Sequence, residues 1–355
     1  MPSLEAYKIV ADFLPDPVMK AQAVLTHTGR TERQKKVLNQ LDDQGKADLL
    51  SGSSAEASAW LTTIPGKDPE LTMSNAVTMV SWKMRLGLDT TNIVSRHEGP
   101  NIAVVCCACE PAFAAAHAAN PKPEEIRTAA LITNDSGKHI FSCKGGGKGS
   151  VAGCINGARH NVTNSAVELA YKRNSPRPDV AAVSVQHEPH MALHADPKAG
   201  AKQTDKRADF SLRHAGGLVE LVDTTIIYAG VNRFKAAVSV AGTAAERARV
   251  GKVKFYDKHW ALHQGTSLVV ASFEAGGRWH PGFLSHFKRF VKSAYPDDKE
   301  RFVYNFKASV QRISIALRKT TSEAVLLLDH VAKGYPAVRL GAVVADAAGE
   351  GGQAE

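Results

Sequence analysis

The stretch 161–260 divides into five segments of alternating character, and that order restricts the fold more than any other feature of the chain. Apolar positions at helical spacing over 162–172 give way to short strand-like runs at 180–185, 209–212 and 218–228, and helical spacing returns over 244–258. Helix, three strands, helix implies a compact α/β core, because a sheet with an apolar face must be covered by helices. The last helix carries a start signal: Thr243 followed by Glu246 predicts a capping box, each side chain satisfying the other residue's backbone N–H.

The flanks are helical. Periodic apolar residues run through 37–50, 55–61 and 76–88, with breaks expected at Gly45, Gly52 and Pro65, and Ser74 is a candidate N-cap. Trp60, Trp82 and Met84 read as core. Beyond the α/β stretch, 283–293 and 300–333 are helical, and the small, acidic, glycine-rich end after Asp346 predicts disorder. The organisation expected is therefore a helical segment over 1–95, a metal-organised module over 96–160, the α/β core over 161–275, a helical extension over 276–342 and a disordered tail over 343–355.

Charge narrows the partners. With 44 Lys and Arg against 35 Asp and Glu, the formal charge is +9, which favours a polyanion through counterion release. Aromatic residues make up only 6%, so base stacking is not the expected mode. No run approaches the roughly 20 apolar residues of a membrane span, and the first residues lack a signal-peptide pattern. An intracellular protein without membrane contact is expected.

Four of the five cysteines fall between Cys106 and Cys143, a spacing that points to metal ligation rather than disulfides. Cys106-x-x-Cys109 and His139-x3-Cys143 offer two knuckles that could close one tetrahedral zinc site, with Cys107 able to replace Cys106. Zinc would supply folding energy that so irregular a segment lacks. The alternative is a set of buried cysteines packing as small apolar groups. The glycine-rich run that follows has no P-loop register, but Lys144 and Lys148 with the intervening glycines could approach phosphate, or the run is a linker.

Asp209 opens one apolar strand and Asp223 lies inside the next, with 13 residues between them. A turn at Ala215-Gly216-Gly217 would bring the two carboxylates together, and two acids a few ångströms apart disfavour joint ionisation unless a cation such as Mg²⁺ binds. A salt bridge to Arg207 is the structural alternative. Lys252 and Tyr256, four apart, share a face of the following helix; a lysine there could neutralise charge at phosphorus.

In order, Cys106-x-x-Cys109, His139-x3-Cys143, Arg159-His160-Asn161, Arg207-Ala208-Asp209 and Val222-Asp223-Thr224-Thr225 resemble the restriction-like endonuclease region of site-specific retrotransposon polyproteins that lack long terminal repeats. The segment 59–65 and Leu86-Gly87-Leu88 resemble the linker before the zinc cluster of such polyproteins. The resemblance covers roughly 55–275 and implies a PD-(D/E)XK nuclease fold, a zinc-knuckle-like CCHC module, DNA as partner with element RNA as a further one, and a nuclear location. It implies that Asp209 and Asp223 bind the catalytic Mg²⁺ and that Lys252 and Tyr256 assist, and Glu168 could be a further acidic contributor; Arg159 and Arg207 are candidates to meet nucleic acid, and His160 beside Arg159 could touch phosphate or cap the following helix. Two positions depart from the pattern. Ala208 replaces a usual proline, and Thr225 stands where many such enzymes carry lysine, so that role passes to Lys252, or to Lys254, from the helix.

Other signals lose on context. Tyr295-Pro296-Asp297-Asp298 has the spacing of a polymerase tetrad but opens a charged helix, and Pro189 forbids a helical zinc motif at His187-Glu188-Pro189-His190.

Overall fold

In the computed structural model the described residues are 29–63 except 30 and 34, 71–86, 151–175, 183–198, 206–230 and 233–332. They form a mixed α/β protein. In chain order the elements are α1 (Asp43–Gly52), α2 (Ala55–Ser58), α3 (Asn75–Leu86), α4 (Val151–Asn174), β1 (Ser184–His187), β2 (Ala195–Pro197), β3 (Phe210–Arg213), β4 (Val219–Ile227), α5 (Thr243–His259), β5 (Trp260–Leu262), β6 (Thr266–Glu274), α6 (Pro281–Ala294) and α7 (Lys299–Ala332).

The main sheet has four strands in the order β1-β3-β4-β6. The first three form an antiparallel meander, with Phe210 opposite Val222, and β6 runs parallel to β4, with Val270 opposite Asp223. The β3–β4 turn falls where Ala215-Gly216-Gly217 places it: His214 N–H donates to Leu218 O, and Gly217 has φ 80°, which a residue without Cβ adopts freely. β6 lies outside the expected order. It supplies the parallel neighbour that a buried β4 needs, with α5 in the crossover.

Strand alternation sends neighbouring residues of β4 to different layers. Val222, with Phe210 and Leu212 of β3, joins a cluster containing Val167 and Tyr171 of α4, Phe283, Phe287 and Phe290 of α6, and Val310, Ile313 and Leu317 of α7. Leu221 faces the other way, towards Tyr256 of α5, Trp260, Met191, Ala195 and Ala208. The helices α6 and α7 thus share one core with the sheet.

Several local expectations change. α1 continues through Gly45, because Asp42 at its N-cap accepts from Gly45 N at 2.7 Å, so the break falls just before the helix. Ser74 does cap α3, accepting from Val77 N at 3.3 Å. Trp60 is buried, but Trp82 stays 43% exposed and meets Trp60 edge-on. The Thr243/Glu246 capping box does not form: Gly242, at φ 84°, is the N-cap. Thr243 donates to Val240 O, and Glu246 binds Arg249 and His280. Glu274, at the end of β6, instead accepts from Ala244 N at 3.1 Å and Ala245 N at 3.3 Å. α4 begins at Val151, ahead of the boundary expected at 160. The tetrad at 295–298 precedes α7, and Asp298 accepts from Arg301 N. No helix among the described residues is long and apolar enough to cross a membrane.

Candidate active site

The site lies where β3 has ended and β4 runs on. β3 pairs with β4 only over Val219–Val222, so the backbone of Thr224 points into a vacated strand lane. A buried backbone group must find a partner, and two side chains provide them. Asp209 Oδ2 accepts from Thr224 N at 2.6 Å, and His160 Nε2 lies 3.0 Å from Thr224 O. Thr224 Oγ1 donates to Asn164 Oδ1 at 2.8 Å, one turn along α4 from His160.

Asp223 points to the opposite layer and is 3% exposed. Lys252 Nζ donates to its Oδ1 at 2.7 Å and its Oδ2 at 3.0 Å, and the Tyr256 hydroxyl donates to Oδ2 at 2.6 Å. Both donors come from one face of α5 because they are four residues apart. Continuing the β3–β4 register by one residue sets Asp209 opposite Asp223. One ligand atom each of His160, Asp209 and Asp223 lies within 4.8 Å of the others. That is little wider than the about 4.2 Å spanned by two trans ligands on one Mg²⁺, so small side-chain adjustments would let these residues hold a divalent cation.

Electrostatics follow from the contacts. Hydrogen bonding to Asp209 raises the His160 imidazole above its usual pKa, against the opposing effect of burial. Burial, followed by the Asp223 charge, raises Tyr256 far above the usual phenol range, so its hydroxyl acts as a donor.

The remaining expected residues are dispersed. Glu168 is buried but engaged by Lys172 Nζ at 2.6 Å and His187 Nδ1 at 2.7 Å, outside the His160/Asp209/Asp223 group. Arg159 is 3% exposed; burial pushes its guanidinium down to about 10, and it donates to Asn156, so it presents no surface to phosphate. Arg207 is exposed and pairs with Glu188 at 3.4 Å, which replaces the expected alternative of a bridge to the carboxylate pair. Lys254 is exposed, and the lysine that meets Asp223 is Lys252. Cys106, Cys109, His139, Cys143, Lys144 and Lys148 lie outside the described residues.

Sequence reasoning missed the way His160 enters the carboxylate site and the part played by Asn164. The spacing 160, 164, 168 on one helical face was the available signal. The chain matches no protein-family model, no curated protein and no solved structure.

Proposed function

We propose that the chain is a metal-dependent DNA endonuclease with a PD-(D/E)XK core, derived from a retrotransposon polyprotein, acting in the nucleus on DNA and on element RNA as a further partner. The observation that carries this reading is the arrival of Lys252 from α5 at Asp223, 2.7 Å from Oδ1. A strand lacking the usual lysine at Thr225 thereby regains a cation beside its second acid. The main-sheet strands β1, β3 and β4 between α4 and α5, with Asp209 just ahead of β3 and Asp223 in the adjacent β4, support the same reading. Cys106, Cys109, His139 and Cys143 are proposed as a structural zinc set on their spacing alone.

Hydrolysis joins a water oxygen to phosphorus with loss of one proton to solvent, breaks one P–O ester bond and leaves an alkoxide that takes up one proton from solvent. Asp209 and Asp223 would hold the divalent cation, Mg²⁺ or Mn²⁺, which supplies Lewis-acid polarisation of the phosphate when bound. Thr224 N fixes the Asp209 carboxylate, and Tyr256 fixes that of Asp223. Lys252 Nζ can donate to a non-bridging oxygen and offset charge that builds at phosphorus.

Nicking of supercoiled plasmid in Mg²⁺ or Mn²⁺ is the test. Cutting by the parent that disappears in Asp209→Ala and Asp223→Ala is expected; variants that cut as well as the parent would remove the proposal. One observation favours a second reading, a nucleic-acid-binding protein whose catalysis has decayed. Lys252 and Tyr256 already engage both Asp223 oxygens, so the buried carboxylate is satisfied without a cation. That reading expects salt-sensitive DNA binding with no nicking.

A further inference from the structure

The third member of the ligand group is an imidazole, and that changes which ion the site suits. His160 Nε2 stands 3.3 Å from Asp209 Oδ2 and 3.0 Å from Thr224 O. Its other ring nitrogen, Nδ1, faces Asn161 Oδ1 at 3.3 Å. Nε2 can donate to Thr224 O and Asp209 Oδ2, or, with the hydrogen moved to Nδ1 and donated to Asn161, offer its lone pair to a cation held by the two carboxylates. A hydrogen-bond acceptor behind the far ring nitrogen is also what fixes the tautomer of a ligating histidine. The carboxylates are held from outside the group, Asp209 by Thr224 N and Asp223 by Lys252 and Tyr256. The His160 side chain is 33% exposed, so an ion can reach it from solvent.

We propose that His160, Asp209 and Asp223 form a mixed nitrogen and oxygen site that takes a first-row transition ion, Mn²⁺, in preference to Mg²⁺. Mg²⁺ favours an all-oxygen octahedron, whereas an imidazole ligand favours first-row transition ions, and Mn²⁺ is the member of that series that also suits carboxylate oxygen. The inference rests on the reading of Asp209 and Asp223 as a metal-binding pair, but it concerns the ligand set rather than cleavage.

The full chain is titrated with Mn²⁺ and read by electron paramagnetic resonance, with pulsed measurements of nitrogen coupling. The parent should bind Mn²⁺ with coupling to an imidazole nitrogen. His160→Ala should lose that coupling and weaken Mn²⁺ by at least about tenfold, while Mg²⁺ affinity, measured by competition, moves by less than about twofold. His160→Asn, which can still donate to Thr224 O, serves where the alanine variant does not fold. Mn²⁺ bound without nitrogen coupling, coupling that survives both substitutions, or equal losses for the two ions would each overturn the inference, as would an absence of Mn²⁺ binding. Nicking is scored separately. Nitrogen-coupled Mn²⁺ with intact DNA sustains the inference and removes the endonuclease, whereas nicking with an all-oxygen site does the reverse.

Discussion

Asp223 is a carboxylate inside an apolar strand, 3% exposed, and its burial costs several kcal/mol unless its charge is met. Lys252 and Tyr256 meet it. Lys252→Met therefore leaves a buried charge with one neutral donor, and the expected loss of stability is about 3 kcal/mol. This is the low end of the range for a broken buried pair, because the Lys252 side chain is 32% exposed. Adding Asp223→Asn to Lys252→Met should return most of that loss, since no charge is left buried. Urea unfolding of the two single variants and the double variant reads both effects. A loss below about 1 kcal/mol for Lys252→Met, typical of a surface pair, would show that α5 is not tied to β4 through this contact.

At the scale of elements, α5 delivers Lys252 and Tyr256, so what fixes its first turn matters to the site. Glu274 Oε1 takes two of its free N–H groups from 30 and 29 residues away. Glu274→Ala should cost about 1–2 kcal/mol, the usual loss of an N-cap, and lower any activity that depends on Lys252, while Glu274→Gln keeps an acceptor and should cost less. Thermal unfolding of the pair tests this. Glu246, freed from the expected capping box, is lowered to about 2 by its hydrogen bonds with Arg249 and then His280. A carboxyl lowered in the folded state stabilises above its unfolded pKa and loses that contribution as pH falls through the folded value. The stability gap between the parent and Glu246→Gln should thus be constant above about pH 5 and close towards pH 2, and it should be small because Glu246 is 45% exposed. Urea titrations at stepped pH give the gap directly. The same helix shows what a sequence can and cannot convey. Periodicity locates α4 and α5, while β3 and β4 show as short apolar runs between turn signals, and β1, without a buried residue, begins a few residues later than its apolar run predicts. The alternating-face signal fails for β6, whose last five residues are all buried, and Glu274 acts across a distance that no local pattern encodes.

The whole molecule explains why the expected separation of a core from a C-terminal extension looked different in sequence. Helical spacing shows that 283–293 and 300–333 have an apolar face, but not what that face covers. It covers the sheet: Phe283, Phe287, Phe290, Val310, Ile313 and Leu317 pack in the same cluster as Phe210, Leu212 and Val222. The carboxylates were legible because two adjacent strands and one turn set their distance, whereas His160 depends on where α4 lies across the sheet, a tertiary matter. α4 links the two regions, burying Val167 and Tyr171 in the cluster and presenting His160 and Asn164 to Thr224. A chain ending at residue 298 removes Val310, Ile313 and Leu317 together. Each such core side chain is worth about 1–5 kcal/mol when cut back, against about 5–15 kcal/mol for a whole domain. The shortened chain should therefore lose its cooperative urea transition, and Phe287→Ala in the full chain should cost about 3–5 kcal/mol. If residues 1–298 unfold cooperatively at the parent's midpoint, α7 is an accessory. If they do not, the helix that carries His160 depends on α7 for its seat, and the site and the C-terminal helices are one cooperative unit.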